Sequence, residues 1–340
     1  MPKGRAMSQP DPSRVLRAVL GLSGGVLLPE WVTAPAYATC LRAPGRCGRA
    51  VDGPPAGTHA KPYGWAMDSP DDAPVIGALS PSRAADFLQC PLLFRFRAID
   101  RIPERPSAAA LRGTLVHAVL ERLFELPSGT RTPRTALSLI GPQWELLRAS
   151  QAEAVAELFA TEQEVDDWLA QARALVERYF EMEQPQRLEP REREKRLDVT
   201  LQSGLRLRGY LDRLDVAPAG QIRIVDYKTG KSPRPRFEDK ARFQIFFYAV
   251  MLWRELGEVP ARLQLMYLGD GGVRWYDPTE QELRAAESEI LGIWRDIEDT
   301  ARSGTWHPRP SKLCGWCDHQ ALCPEFGGTP PPLPDPAPAR

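Results

Sequence analysis

The sequence lacks any run of roughly 18 or more apolar residues, which excludes a membrane-spanning helix on length alone. It also lacks an excess of either charge, with 44 Lys+Arg against 44 Asp+Glu, so any attraction to a polyanion must come from local clustering. A Gly-x-x-x-x-Gly-Lys-Ser/Thr loop is absent too, which excludes a P-loop nucleotide-driven motor in this chain. What remains is an ordinary globular composition, 43% hydrophobic and 26% charged, in 340 residues.

The two ends of the chain differ in composition from its middle. Residues 1–78 are rich in Pro, Gly, Ala and Arg without a sustained period, so we expect a disordered or dispensable extension with Met67 as an alternative start. Residues 328–340 read as a Pro-rich disordered tail. The apolar stretch 18–28 imitates a signal peptide, but three glycines and a serine dilute it, so we expect a cytoplasmic protein with no membrane partner.

Periodicity predicts the secondary structure. Apolar residues that recur at three and four predict a helix over 108–126, and an N-cap serine followed by proline predicts one over 81–89. Further helices are predicted over 135–149, 152–182, 238–256 and 279–302. Alternation with period two predicts strands over 195–202, 205–216, 221–228, 261–268 and 273–276. Helices followed by three strands, a helix and further strands predict an α/β fold with a mixed sheet.

Two acids and a lysine stand out on adjacent predicted strands. Asp226 and Lys228 are two residues apart near the end of one strand, so their side chains share a face. Asp212 lies on the strand that a hairpin would pair with it, and two such carboxylates could converge on one divalent cation. A strand-end ion pair of Asp226 with Lys228, and pairing of Asp212 with an arginine, remain open on these residues alone. The arginines available to Asp212 are Arg206, Arg208 and Arg213.

Two predicted helices carry polar stripes. Gly113, His117 and Glu121 follow one another at intervals of four on an otherwise apolar helix. Gln244 and Tyr248 lie one turn apart on a later helix. Such stripes also occur on partly buried amphipathic helices that have no catalytic role.

In this order, the four elements resemble those of the PD-(D/E)XK nucleases, and specifically their RecB-like exonuclease branch. The family's Gly-x-x-x-His, Gly-x-x-Asp, Asp-x-Lys and Gln-x-x-x-Tyr elements are matched by Gly113 and His117, Gly209 and Asp212, Asp226 and Lys228, and Gln244 and Tyr248. The resemblance covers residues 79–327. It implies a restriction-endonuclease-like core, a central mixed β-sheet flanked by helices, over 191–302, with a helical region before it (79–190) and a cysteine-cluster segment after it (303–327).

The resemblance implies metal-dependent phosphodiester hydrolysis. His117, Asp212, Asp226 and the Tyr227 carbonyl would hold Mg²⁺ or Mn²⁺, and Lys228 would orient the attacking water or help to deprotonate it. Gln244 and Tyr248 would position the metal shell or the DNA strand. The implied function is a DNA exonuclease acting on single-stranded ends in repair or recombination, with any helicase partner on a separate chain. A DNA-binding or helicase-partner module with vestigial cleavage, and an RNA nuclease, are the open alternatives.

Four of the six cysteines form a pattern. Cys314, Cys317 and Cys323 are clustered after the predicted core, and Cys90 stands before it. In the iron–sulfur subgroup of RecB-like nucleases, which includes the AddB subunit and CRISPR-associated relatives, such cysteines hold a [4Fe–4S] cluster. The resemblance therefore implies the same cluster here.

Other interpretations of the cysteines stay open. A structural Zn²⁺ site would need four ligands, and His307 or His319 could replace one cysteine in it. The thiols could also be unligated. Cys40 and Cys47 lie in the N-terminal extension, and we interpret them as incidental.

Basic residues follow the strand that carries Asp226. We expect this segment to steer DNA phosphates toward the site, although a solvated loop would have a similar composition. The predicted DNA-binding residues are Lys231, Arg234, Arg236 and Arg242. A second basic group could line the same channel, with Phe94 and Phe96 beside it to stack unpaired bases. Its members are Arg95, Arg97, Arg101 and Arg105.

Overall fold

The computed structural model describes residues 77–234 and 238–334, and these residues belong to one compact unit. The predictions for Met67, Cys40, Cys47 and Arg236, and for residues 1–76 and 335–340 of the two terminal extensions, lie outside the described residues. Among the helices that are described, none has the length and apolar character needed to cross a membrane.

Most predicted helices lie within a few residues of their positions in the structure, which adds a short helix after Cys90. The observed helices are α1 Pro81–Gln89, α2 Pro91–Phe94 with a π-helical continuation Arg95–Ile99, α3 Ala108–Glu125, α4 Pro133–Ser150, α5 Ala152–Leu158, α6 Glu162–Met182, α7 Asp239–Leu256 and α8 Glu280–Ser303. The prediction of a single helix over 152–182 is wrong, because the chain leaves the helical conformation after Leu158. Thr161 and Glu164 form a capping box there, which stabilises the start of α6 by about 1 kcal/mol.

The strands form one five-stranded sheet in the order β1-β2-β3-β4-β5. Their bounds are β1 Glu192–Thr200, β2 Arg206–Val216, β3 Ile222–Lys228, β4 Arg262–Tyr267 and β5 Gly272–Tyr276. The first three form an antiparallel meander, β4 joins β3 in parallel after α7, and β5 returns antiparallel. This mixed sheet with flanking helices confirms the predicted α/β fold.

The two faces of the sheet bury separate hydrophobic cores. Ile224 packs into the core beneath α7 and α8, whereas its neighbour Val225 packs into the core beneath α3, α4 and α6, and both are 0% exposed. Each buried side chain of this size contributes about 1.5–3 kcal/mol to stability. The strand that ends in Asp226 and Lys228 is therefore fixed from both sides.

The segment after α8 folds back onto the first described helices. Trp306 stacks on Phe94, with ring centroids 5.7 Å apart and an interplanar angle of 17°. Further on, Nε2 of the buried His319 lies 2.8 Å from Glu104 Oε1. These contacts bring the C-terminal cysteine cluster next to Cys90.

Candidate active site

The candidate site forms where β2 and β3 separate. The two strands pair over residues 213–216 and 222–225, and the ladder then stops. Asp212 lies in the gap, and its Oδ2 accepts a hydrogen bond from the Tyr227 backbone N–H at 2.7 Å. A carboxylate thus satisfies the backbone donor that a continued ladder would have used.

Helix α3 brings His117 to this gap. Its Nε2 lies 3.0 Å from the Tyr227 carbonyl oxygen, and because a carbonyl only accepts, Nε2 carries the proton. Its Nδ1 lies 3.4 Å from Glu194 Oε1 and 3.6 Å from Asp212 Oδ2. The carbonyl that the resemblance assigns to a metal is therefore bonded to His117, and Nδ1 is the ring nitrogen that faces the carboxylates.

Glu194 is a site residue that the sequence analysis missed. It lies on β1 opposite Asp212, between two regular cross-strand pairs. Its φ of +42° is in the left-handed region, which costs a non-glycine residue on the order of 1–3 kcal/mol. One ligand atom from each of His117, Glu194 and Asp212 lies within 4.8 Å of the other two, the one such group in the described ranges. The only sequence signal for Glu194 is its register opposite Asp212.

Burial and the neighbouring charges together raise the pKa values of His117 and Asp212. Burial lowers the pKa of His117, but the carboxylates of Asp212 and Glu194 outweigh it and raise that pKa to about 9. Burial, followed by repulsion from Asp226 and Glu194, raises the pKa of Asp212 to about 7. Oxygen and imidazole donors in a concentrated negative environment suit a divalent cation, so these side chains fit a metal ion. His117 would ligate it through Nδ1 after losing the Nδ1 proton.

A second arm of the site, the chain of contacts through Asp226, Lys228, Gln244 and Tyr248, connects β3 to α7. Lys228 Nζ lies 2.8 Å from Asp226 Oδ2 and donates to Gln244 Oε1 at 2.8 Å. The Gln244 amide in turn donates to the Tyr248 hydroxyl at 3.4 Å. Burial lowers the pKa of Lys228, but Asp226 and Asp212 raise it above its ordinary value, so the amine is an ammonium donor at neutral pH. Asp226 lies outside the group of three close ligand atoms and directly holds this amine.

The two motif glycines lie next to site residues, and Gly209 marks a close approach. A Cβ atom built on Gly209 would lie 2.6 Å from Tyr248 Cε1, closer than van der Waals contact allows. A Cβ atom on Gly113 would lie 3.6 Å from Thr229 Oγ1, so the polar stripe of α3 faces the end of β3. Glycine in the Gly-x-x-Asp element thus leaves room for the ring that completes the second arm.

The model of the PD-(D/E)XK nuclease superfamily matches residues 78–324. This chain belongs to the PD-(D/E)XK nuclease superfamily. Membership implies a metal-dependent phosphodiesterase, and the mixed sheet is its restriction-endonuclease-like core.

Two curated phage proteins are similar to this superfamily member. The Gene 69 protein of Mycobacterium phage D29 is 26% identical over 290 residues, covering 73% of this chain and 96% of the phage protein. That of Mycobacterium phage L5 is 29% identical over 125 residues, covering 36% of this chain and 41% of the phage protein, so the match spans less than half of that relative. Among solved structures, the crystal structure of SSO0001 aligns with 74% of this chain and 88% of its own at 12% identity, with a TM-score of 0.35.

A buried ion network lies beneath α3, on the face of the sheet that carries the Tyr227 ring. Arg213 is 1% exposed, and its Nη1 lies 2.6 Å from the Tyr227 hydroxyl and 2.8 Å from Glu183 Oε2. Asp215 pairs with both Arg213 at 3.1 Å and Arg223 at 2.7 Å. The positive charges of the two arginines balance the negative charges of the two carboxylates. The network fixes the Tyr227 side chain, and the backbone of the same residue contacts the site.

The arginines considered as partners of Asp212 form ion pairs with other carboxylates. Arg206 lies 2.6 Å and Arg208 lies 3.3 Å from Asp198, and Arg213 belongs to the buried network. Asp212 instead contacts the Tyr227 N–H and His117.

The basic segment after β3 is exposed where it is described. Lys231, Arg234 and Arg242 are exposed, although the Arg242 guanidinium also lies 4.3 Å from the centroid of the Phe246 ring. The loop that carries Lys231 is held in place because the backbone N–H and hydroxyl of Ser232 bond to Asp270 at 3.0 and 3.1 Å. These residues remain predicted DNA contacts.

The second basic group is tied to acids of the protein itself. Arg95 pairs with Asp100 at 2.9 Å and is 7% exposed. Arg97 pairs with two carboxylates, and Arg105 pairs with Asp318 at 2.7 Å. Phe94 and Phe96 are buried, so neither ring is presented to a base. The buried Arg95 and the two buried rings therefore do not support the expectation that they line the channel, and Arg101 and Arg105 remain predicted members of it.

The four clustered cysteines line one cavity. Cys90 lies at the junction of α1 and α2, and the other three lie in and beside the 3₁₀ turns Lys312–Trp316 and Gln320–Leu322. All four are free thiols and half-buried. The backbone N–H groups of Arg309 and Ser311 donate to Cys90 Sγ at 3.4 Å and Cys314 Sγ at 3.2 Å. Such donors stabilise negative charge on sulfur ligands.

Proposed function

We propose that this superfamily member is a metal-dependent DNA exonuclease of the RecB-like branch, which hydrolyses single-stranded ends in DNA repair or recombination. The observation that carries the proposal is the convergence of His117, Glu194 and Asp212, whose ligand atoms lie within 4.8 Å of one another, beside the ion pair of Asp226 and Lys228.

The site contains candidate metal ligands and one hydrogen-bond donor, the Lys228 ammonium. His117, Glu194 and Asp212 would hold Mg²⁺ or Mn²⁺, with Asp226 as the further ligand that the resemblance implies. The bound ion would supply Lewis acidity and an activated water. The Lys228 ammonium can donate a hydrogen bond to that water or to a phosphate oxygen where negative charge develops. Its raised pKa favours an orienting role over that of a general base.

Burial in the gap favours an enzyme over a binding module with vestigial cleavage. Several carboxylates share one desolvated space, and Glu194 has a strained backbone. Both features cost folding free energy, and a module that only binds DNA has no need of either.

The substrate class is tested by incubating the protein with labelled nucleic acids and measuring their cleavage. The substrates are 5′- and 3′-labelled single- and double-stranded DNA and RNA, each with Mg²⁺ or Mn²⁺. Circular single-stranded DNA serves as the substrate without ends. We expect linear single-stranded DNA to be degraded and circular single-stranded DNA to remain intact. Cleavage of the circle would identify an endonuclease, preference for RNA would identify an RNA nuclease, and binding without cleavage would identify a vestigial module.

We also propose that Cys90, Cys314, Cys317 and Cys323 hold a [4Fe–4S] cluster. A tetrahedral Zn²⁺ ion with Zn–S bonds of about 2.3 Å would place its sulfur atoms roughly 3.8 Å apart. In the described ranges, no three of these sulfur atoms lie within 4.8 Å of one another. No three of these sulfur atoms are therefore as close together as tetrahedral Zn²⁺ requires, which favours the larger cluster.

The cluster is tested on protein purified without oxygen. We expect a brown protein with broad visible absorption and about equal iron and sulfide, because a [4Fe–4S] cluster contains both. Cys314→Ser should lose the colour, and Cys47→Ser, a change in the N-terminal extension, should keep it. Colourless protein with stoichiometric zinc would contradict the proposal.

A further inference from the structure

The outer face of the β1–β2 hairpin is built from alternate residues of two paired strands. On β1, Leu197 and Val199 are buried in the core beneath α7, and on β2 Leu207 and Leu211 are buried in the same core. The residues between them point away from that core. These are Arg196, Asp198 and Thr200 on β1 and Arg206, Arg208 and Tyr210 on β2.

This face carries more positive than negative charge. Asp198 is its single acid and lies 2.6 Å from Arg206, 3.3 Å from Arg208 and 3.6 Å from Arg196. One carboxylate faces three guanidinium groups, so positive charge is in excess among the residues of this face. The Arg196 and Arg206 side chains are 55% and 44% exposed, so their charges are accessible to a polyanion. Asp198 holds the three arginines close together and limits how far each can move.

The face begins at the edge of the candidate active site. Arg196 pairs with Tyr210 in the strand register, Asp198 with Arg208, and Thr200 with Arg206. The next positions toward the site, two residues further along each strand, are Glu194 and Asp212. Since strands rise about 3.3 Å per residue, the row from Asp212 to Arg206 extends for roughly 20 Å, enough for several nucleotides.

Tyr210 suggests that the occupant is single-stranded. Its side chain lies at the end of the face nearest the site, opposite Arg196, and the residue is 39% exposed. An exposed aromatic ring can stack on an unpaired base, whereas the bases of a duplex are already stacked on one another. Arginine beside an aromatic ring combines phosphate contact with stacking, which is how channels for single strands are commonly lined.

We propose that this hairpin face is the track along which single-stranded DNA reaches the nuclease site, with the three arginines on phosphates and Tyr210 on a base. The proposal rests on the proposed function, and it assigns substrate contacts to a surface other than the basic segment after β3. It concerns binding along the strand, not the chemical step.

The test uses the full chain with Arg196, Arg206 and Arg208 all changed to Gln. The matched control changes Arg148, Arg284 and Arg302 to Gln, because these are also exposed, ion-paired arginines and the change in net charge is the same. Binding of a labelled single-stranded DNA is measured in the Asp226→Asn background at several salt concentrations. Each phosphate contact to a single strand contributes about 0.7 to the salt slope, so the track variant should lose about 2 from that slope. Its affinity should fall at least about tenfold at low salt, and the control should bind as the parent does.

Two further measurements separate this proposal from the proposed function. Hydrolysis of thymidine 5′-p-nitrophenyl phosphate, which is too short to follow the track, should be unchanged by the arginine substitutions. Tyr210→Ala should weaken binding of single-stranded DNA more than that of duplex. An unchanged affinity and salt slope for the track variant, or an equal loss in the control, would overturn the track even if the enzyme cleaves. Failure of the parent to cleave either substrate would instead count against the proposed function.

Discussion

Replacing Gly209 with alanine tests how closely β2 approaches the ring of Tyr248. The added Cβ would lie 2.6 Å from Tyr248 Cε1 and 3.3 Å from Cδ1. Gly209 does not have a positive φ, so alanine is allowed by the backbone and the effect is steric. Removing a strand glycine would stabilise by roughly 0.5–1 kcal/mol, whereas overpacking of a buried ring costs about 1–3 kcal/mol. We expect a net loss of about 1–2 kcal/mol in urea unfolding.

The same substitution should lower activity, because displacement of the ring reaches Lys228 through Gln244. Misplacement of a catalytic group by about 1 Å can cost up to about 100-fold in rate, and we expect a loss within that range on labelled single-stranded DNA. Gly129→Ala is the matched control, because nothing lies within 4 Å of its added Cβ. In a Tyr248→Ala background, Gly209→Ala should no longer destabilise. Wild-type stability and cleavage for the single Gly209→Ala variant would refute the contact.

Other parts of the site make separate predictions. Glu194→Gln should weaken Mg²⁺ binding at least about tenfold by calorimetry, because it removes a charged ligand, and unchanged affinity would exclude Glu194 from the metal site. Glu194→Gly should not lower stability in urea, because glycine accepts the φ of +42° without strain; marked destabilisation would contradict this explanation. Tyr227→Phe should cost about 1–3 kcal/mol, because it removes the hydroxyl that bonds to buried Arg213 at 2.6 Å, and equal stability in urea would show that this bond contributes little. Excess EDTA should abolish cleavage and added Mg²⁺ should restore it, so cleavage that persists in EDTA would exclude a metal requirement.

The fold and half of the site could be predicted because they depend on local periodicity. Alternation on β3 places Asp226 and Lys228 on one face, and their Nζ to Oδ2 distance is 2.8 Å. Helical spacing places Gln244 and Tyr248 one turn apart, and the structure joins them by a hydrogen bond. In each case the two residues belong to one element, so the period of that element fixes their relation.

The rest depends on relations between distant elements. Glu194 enters the site through a left-handed backbone and a register opposite Asp212, and neither follows from the composition of β1. Arg95 and Arg97 belong to a basic sequence segment, yet each pairs with acids of the protein, Arg95 with Asp100 and Arg97 with Asp86 and Glu104. The break after Leu158 was missed because the apolar period continues on both sides of it.

The most direct test of the nuclease assignment is Mg²⁺-dependent cleavage by three variants of matched design. Asp226→Asn and Lys228→Met change the ion pair at the site, and Asp299→Asn changes an aspartate whose side chain is 70% exposed on α8. Circular dichroism and urea unfolding establish that each variant is folded. We expect cleavage of labelled single-stranded DNA to fall by about 100-fold or more in the first two variants and to stay at the parent rate in the third. Undiminished cleavage by both folded site variants would contradict the assignment.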